Sequence, residues 1–179
     1  MSGPPPIARL DLLAESLASG FLRQYQVSRP PVPIFDMVRQ PPEGLERHLS
    51  LCLALPYSDA IYLRLLNGQG TIFVNPRLAG PMQRYATARA LLLGLFNTPG
   101  GQALGLGFAS LELPEETADY FARCLLMPTA MFPADWEALP VAEVARLFEV
   151  PQDVAAARLS ELGSTHGTMG WRTAVTLPD

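Results

Sequence analysis

The stretch 81–96, PMQRYATARALLLGLF, limits what this chain can fold into more than any other. Pro81 suits the first turn of a helix, where a missing N–H costs nothing. Leu91, Leu92, Leu93, Leu95 and Phe96 then follow so closely that apolar side chains cover most of the helix surface. A helix apolar on most sides must be enclosed by other elements. It is therefore the expected centre of the fold, packed against a sheet.

The segment before it carries the sheet. Leu45, Leu49, Leu51, Leu53 and Leu55 alternate with Glu46, His48, Ser50, Cys52 and Ala54, the period of a strand with one face in the core. Residues 60–66 and 71–75 continue the pattern on either side of Asn67-Gly68-Gln69-Gly70, a hairpin signal because Asn and Gly tolerate positive φ. The expectation is an antiparallel meander of three strands. Further upstream, Leu10, Leu13, Leu17 and Phe21 recur at helical spacing, so residues 7–27 read as an amphipathic helix ended by Pro30, Pro31 and Pro33. A short turn of helix at 34–38 precedes Pro41 and Pro42.

Downstream, the Gly-rich residues 97–107 read as a loop. A helix opens near Pro114, carries Ala118, Phe121, Ala122 and Leu125 on one face, and stops at Pro128, with Glu115 at the head of that face. Residues 141–148 and 152–162 form two helices around Glu149-Val150-Pro151, a helix-turn-helix pattern that is also common in plain helical packing. Residues 164–179 read as a Gly/Thr-rich tail in which Trp171 and Val175 could dock.

Composition excludes several chemistries. All 13 basic residues are Arg, which removes any P-loop, Schiff-base or kinase-type lysine. Net charge is −4 with a pI near 5.2, so the chain lacks general attraction to phosphate backbones or anionic lipid. Within 141–162 the acids Glu143, Glu149, Asp153 and Glu161 outnumber the bases Arg146 and Arg158, which argues against DNA contact. Nucleic acid is not an expected partner. Cys52 and Cys124 stand far apart without ligand spacing and read as small hydrophobes in a reducing compartment. No run approaches the roughly 20 apolar residues of a membrane span, and the start MSGPPPIARLDLL has no signal-peptide pattern. The expected location is cytoplasmic, with no membrane partner. A histidine-based site would need His48 and His166 to meet across most of the sequence.

The order of parts resembles the ImmA/IrrE family of zinc metallopeptidases: an N-terminal helix, PPVPI, a small sheet ending in IFVNP, a buried helix, then a specific motif. That motif is Glu115-x-x-Ala118-Asp119-x-Phe121-Ala122-x-x-Leu125-Leu126-Met127-Pro128, in which Asp119 stands for the usual Asn. The likeness covers roughly residues 10–163. It implies an α+β, zincin-like domain over residues 1–130, with a small antiparallel three-stranded sheet packed on the buried helix. A helix-turn-helix-like segment at 131–163 would pack on that domain, and a tail would follow at 164–179.

In such enzymes the buried helix carries HExxH within a stretch like RFTLAHELGH, and residues 84–93 lie over it. Two histidines one turn apart bind zinc, the intervening Glu takes a proton from the zinc-bound water, and a carboxylate from the next helix completes the site. Here Arg89 and Leu93 stand at the histidine positions and Ala90 at the general base, and Glu115 alone remains. A guanidinium has no lone pair to give, Leu has no donor atom and Ala cannot accept a proton. A rescued site would have to recruit Glu116, Asp119, His48 or His166.

The resemblance thus implies a pseudopeptidase with no catalytic residues and no zinc. Such a scaffold would bind a regulatory protein partner such as a transcriptional repressor, and a structural ion pair between Arg89 and Glu115 would replace the metal. Two alternatives are a residual metallopeptidase with unconventional zinc ligands and a DNA-binding regulator acting through 141–162. A further possibility is that the former groove has packed shut.

Overall fold

The computed structural model of the chain describes residues 6–54, 58–104, 106 and 114–169. Helix α1 (Pro6–Gln24) is followed by the short α2 (Ile34–Arg39), then strands β1 (Leu51–Leu53), β2 (Ala60–Arg64) and β3 (Gly70–Val74). After them come α3 (Gly80–Phe96), α4 (Pro99–Ala103), α5 (Glu115–Leu126), α6 (Val141–Phe148) and α7 (Gln152–Met169). The class is α+β. Helix α3 occupies the centre, with the sheet on one side, α5 on another and α2 also against it. Leu91, Leu92 and Phe96 of α3 join Ile34 and Met37 of α2, Ile72 of β3, and Phe121, Leu125 and Leu126 of α5 in a core sealed from solvent.

The sheet differs from the expected meander. Its spatial order is β1-β3-β2, with β1 parallel and β2 antiparallel to β3. The hairpin of β2 and β3 forms at Asn67-Gly68, where Gly68 adopts φ +83°. Most of the long strand expected from Leu45 onward is absent. Residues 42–49 turn instead, with His48 N–H and Leu49 N–H both donating to the Leu45 carbonyl, and only Leu51–Leu53 pair in register with Ile72, Phe73 and Val74. Thr71, Ile72 and Val74 are buried whereas β2 is largely exposed. The strand with the most to bury takes the middle.

Two local readings also change. The Gly-rich stretch is interrupted by α4, begun by Thr98, whose hydroxyl accepts the Gly101 N–H at 3.1 Å, with Pro99 in the first turn; Thr-Pro is an N-cap and N1 pair. Helix α7 continues to Met169 rather than stopping near Leu162. Trp171 and Val175 lie outside the described residues.

Two buried arginines tie the C-terminal helices to this core. Arg84 of α3 donates to the carbonyls of Val32 (2.8 Å), Glu149 (3.1 Å) and, at the limit of hydrogen bonding, Phe148 (3.5 Å). It thereby supplies donors to the open end of α6, where Glu149 sits in the left-handed region at φ 53°. Arg158 of α7 donates to the Met127 carbonyl, the Thr129 hydroxyl and the Glu161 carboxylate, and Glu161 also accepts from Arg123 of α5.

Candidate functional site

An open cleft of about 390 Å³ runs along α3. Ala86, Arg89, Ala90 and Leu93 form its floor, a single stripe because they are spaced three and four apart on the helix. Glu115 and Ala118 of α5 form one wall, and residues 58–61, which include the start of β2, form the other. The three positions where the resemblance places the HExxH ligands and base thus share the floor, with Glu115 beside them. Leu93 is half-buried and does not fill the space.

Arg89 holds the central charge. Its closest partner is Asp119, Nε to Oδ1 at 2.5 Å. This is a charge contact rather than an aligned hydrogen bond, for Nε is buried without a hydrogen-bond acceptor in line. Glu115 is secondary, its Oε2 4.0 Å from Nη2 and its side chain 91% exposed. The anticipated pair of Arg89 with Glu115 is present but solvent-exposed rather than buried, and the closer partner is Asp119, one turn further along α5 and only 32% exposed. The reason is geometric. The start of α5 lies at the mouth of the cleft, and the next turn lies above the guanidinium.

Asp119 has a second partner. The Tyr85 hydroxyl donates to Oδ1 at 2.8 Å, and the Arg89 guanidinium carbon lies 6.0 Å from the Tyr85 ring centroid, within range of a cation–π contact. Burial, and then the bond to Asp119, pushes the Tyr85 hydroxyl well above its ordinary pKa. Asp at the position of the usual Asn gives Arg89 a counter-charge that an amide could not supply. Sequence reading reached Arg89 and Asp119 separately but not their pairing, and it missed Tyr85 and Arg84. The one available signal was spacing: Tyr85 and Arg89 are one helical turn apart.

These residues do not suit a zinc ion. Arg89, Ala90 and Leu93 offer no lone pair, Asp119 is engaged by Tyr85 and a cation, and Glu115 is a single exposed carboxylate. Among the described residues no three His, Cys, Asp or Glu side chains are grouped to hold a metal. His48 is not part of the cleft wall; burial and then Arg64 lower its pKa. His166 falls in the last turns of α7, and its side chain lies outside the described residues. Glu116 points away from the cleft, toward a separate hollow with Asp11 and Arg123.

The family model for the IrrE N-terminal-like domain, Peptidase_M78, matches residues 51–160, from β1 into α7 and across the whole cleft. The chain belongs to this family. The IrrE N-terminal-like segment begins after His48 and ends before His166, so neither histidine falls within it. The fold is similar to that of a Mycobacterium tuberculosis transcriptional regulator, with a TM-score of 0.57 and 19% identity over 86% of this chain. This chain spans 46% of that protein, just under half of its length, and at such identity the likeness concerns the fold. A search of the curated proteins finds no match. Among the described residues no helix is long and apolar enough to cross a membrane.

Proposed function

We propose that this chain is a non-catalytic IrrE N-terminal-like protein, a regulatory scaffold that receives a segment of a protein partner, such as a transcriptional repressor, in the cleft over α3. The observation that carries this reading is Arg89. It stands at the floor of an open cleft, at the position of a zinc-binding histidine in the resembling peptidases, with its charge held by Asp119. A fixed cation repels a metal ion. Ala90 next to it can neither take a proton from water nor give one to a leaving amine. The cleft is nonetheless open, partly apolar and bordered by the start of an edge strand, which suits an extended segment. The likeness to a transcriptional regulator agrees with a regulatory setting.

The DNA-binding alternative is weakened by Arg158, one of the two bases of 141–162, which is buried and hydrogen-bonded inside the protein. Only Arg146 of that pair faces solvent.

The test is metal content of the chain purified without a metal-affinity tag, with a zinc titration followed by calorimetry and melting temperature. No stoichiometric zinc and no shift in melting are expected. One equivalent of zinc, released by Glu115→Ala and accompanied by peptide cleavage, would overturn the reading in favour of a metallopeptidase with unconventional ligands. The partner half is tested by titrating labelled repressor peptides against the wild type and an Ala86→Trp variant that fills the cleft. Binding that is unaffected by filling it would place the partner elsewhere.

A further inference from the structure

Strand β2 is an edge strand, and its free edge has a defined register. The Asn75 N–H donates to the Asp59 carbonyl and the Leu65 N–H to the Gln69 carbonyl. In an antiparallel ladder the residues exchanging hydrogen bonds alternate, so 59, 61, 63 and 65 direct their amide groups at β3. Ala60, Tyr62 and Arg64 direct theirs outward. Among the described residues no other strand pairs with that edge.

Among the described residues the edge also has little of the usual protection. Soluble proteins guard such strands with Lys, Pro, bulges or a covering element, yet Ala60-Ile61-Tyr62-Leu63-Arg64-Leu65-Leu66 carries one charge and no Pro. Of the nine large apolar side chains most exposed among the described residues, four are Ile61, Leu63, Leu65 and Leu66. Ile61 and Leu63 share the outer sheet face with Phe73, the cross-strand partner of Ile61, and with Cys52, the partner of Phe73. That apolar face therefore extends across all three strands.

We propose that two copies of this chain pair antiparallel through β2 about a two-fold axis at Tyr62, joining their sheets into one of six strands. The occupant is a second copy because the edge is self-complementary. With Tyr62 opposite its counterpart, Ala60 meets Arg64 of the other copy, and every outward amide of β2 finds one facing it. In the same register Ile61 lies opposite Leu63 of the second copy on the outer face, apolar against apolar. Other even registers leave at least one outward residue of β2 without a strand partner, and odd registers set outward amides against residues already bonded to β3. An isologous contact of this kind closes after two copies instead of growing into a fibre.

This inference does not rest on the cleft reading. Because Ala60 also borders the cleft, the dimer and an occupied cleft would draw on the same strand edge.

The test uses the full chain in sedimentation equilibrium over a wide concentration series. The expected mass is twice the 19.4 kDa of one copy. Leu63→Lys sets a charge against Ile61 of the second copy and is expected to raise the dissociation constant at least about tenfold, whereas Leu12→Lys, on the solvent-facing side of α1, leaves it unchanged. Circular dichroism checks that both variants are folded. Register is read by cysteine trapping in a Cys52→Ser background. Directly opposed non-hydrogen-bonded residues lie about 4.5 Å apart at Cα, within disulfide reach, and diagonal ones do not. Ile61→Cys combined with Leu63→Cys is therefore expected to cross-link on mild oxidation, and Ile61→Cys alone is not. A monomer at all concentrations would overturn the proposal. So would a dimer that Leu63→Lys leaves intact and that the paired cysteines fail to trap.

Discussion

Arg84→Met asks how the C-terminal helices are held to the rest of the fold. The guanidinium is buried, and burial lowers its pKa even with Glu149 nearby raising it. What keeps it in place is two good hydrogen bonds to carbonyls, of Val32 at 2.8 Å and Glu149 at 3.1 Å, with a longer one to Phe148. Bonds from a charged donor contribute about 1.5–3 kcal/mol each. Met keeps most of the aliphatic packing and removes the cost of burying the charge, so part of the loss is returned. The expected net destabilisation is about 3 kcal/mol, because the Glu149 carbonyl at the end of α6 loses its donor and the Val32 carbonyl is left with the Ile34 N–H alone. For a chain of this length that corresponds to a melting temperature lower by roughly 6–12 °C. The salt bridge itself contributes little: Glu149 is 54% exposed and 3.6 Å away, so Glu149→Gln is expected to cost under about 1 kcal/mol. The assay is urea unfolding followed by circular dichroism, read as a shift in midpoint at unchanged slope. If Arg84→Met fell within about 0.5 kcal/mol of wild type, or matched Glu149→Gln, the claim that carbonyl bonding rather than ion pairing holds these elements would be refuted.

A double-mutant cycle is expected to find Arg89 coupled to Asp119 by about 1 kcal/mol and to Glu115 by less than about 0.5 kcal/mol, since Glu115 is almost wholly solvated; equal coupling to both, measured by chemical denaturation, would sink this ordering. Alkali should unfold the protein through its tyrosines: burial raises the hydroxyls of Tyr85 and Tyr120, and pushes that of Tyr25 up to about 12. Their stabilisation is complete below the unfolded pKa of about 10 and lost as pH rises from there toward the folded values. Absorbance at the phenolate band is therefore expected to rise together with loss of helix signal, and smooth titration of all five tyrosines in an intact fold would contradict it. Gly94→Ala places a methyl 2.7 Å from Leu49 Cδ2 and 3.3 Å from the Tyr62 ring. Despite the better helix propensity of Ala, a net loss of about 1–2 kcal/mol is expected by thermal melting, and a stabilised variant would show that the sheet does not press on α3 as closely as described.

The amino-acid sequence alone determined those features that depend on local pattern. The apolar density of 81–96 made α3 central, the Pro and Gly punctuation placed α1, α2 and α5 near their observed ends, and Asn67-Gly68 set the β2–β3 turn. Helical periodicity set residues 89, 90 and 93 in one stripe, and the family resemblance placed Glu115 beside them. The outcomes decided by tertiary structure were of a different kind. Alternation of apolar and polar residues says that a segment could be a strand but not which strand it joins, so the parallel pairing of β1 with β3 was invisible in it. Nor does a list of arginines say which are buried: Arg84 and Arg158 look like surface charges until carbonyls from distant segments converge on them. The ranking of Asp119 ahead of Glu115 as the partner of Arg89 has the same origin. Both carboxylates lie on α5, a turn apart, and only the packing of α5 across α3 determines which one meets the guanidinium closely and which pairs with it at longer range in solvent.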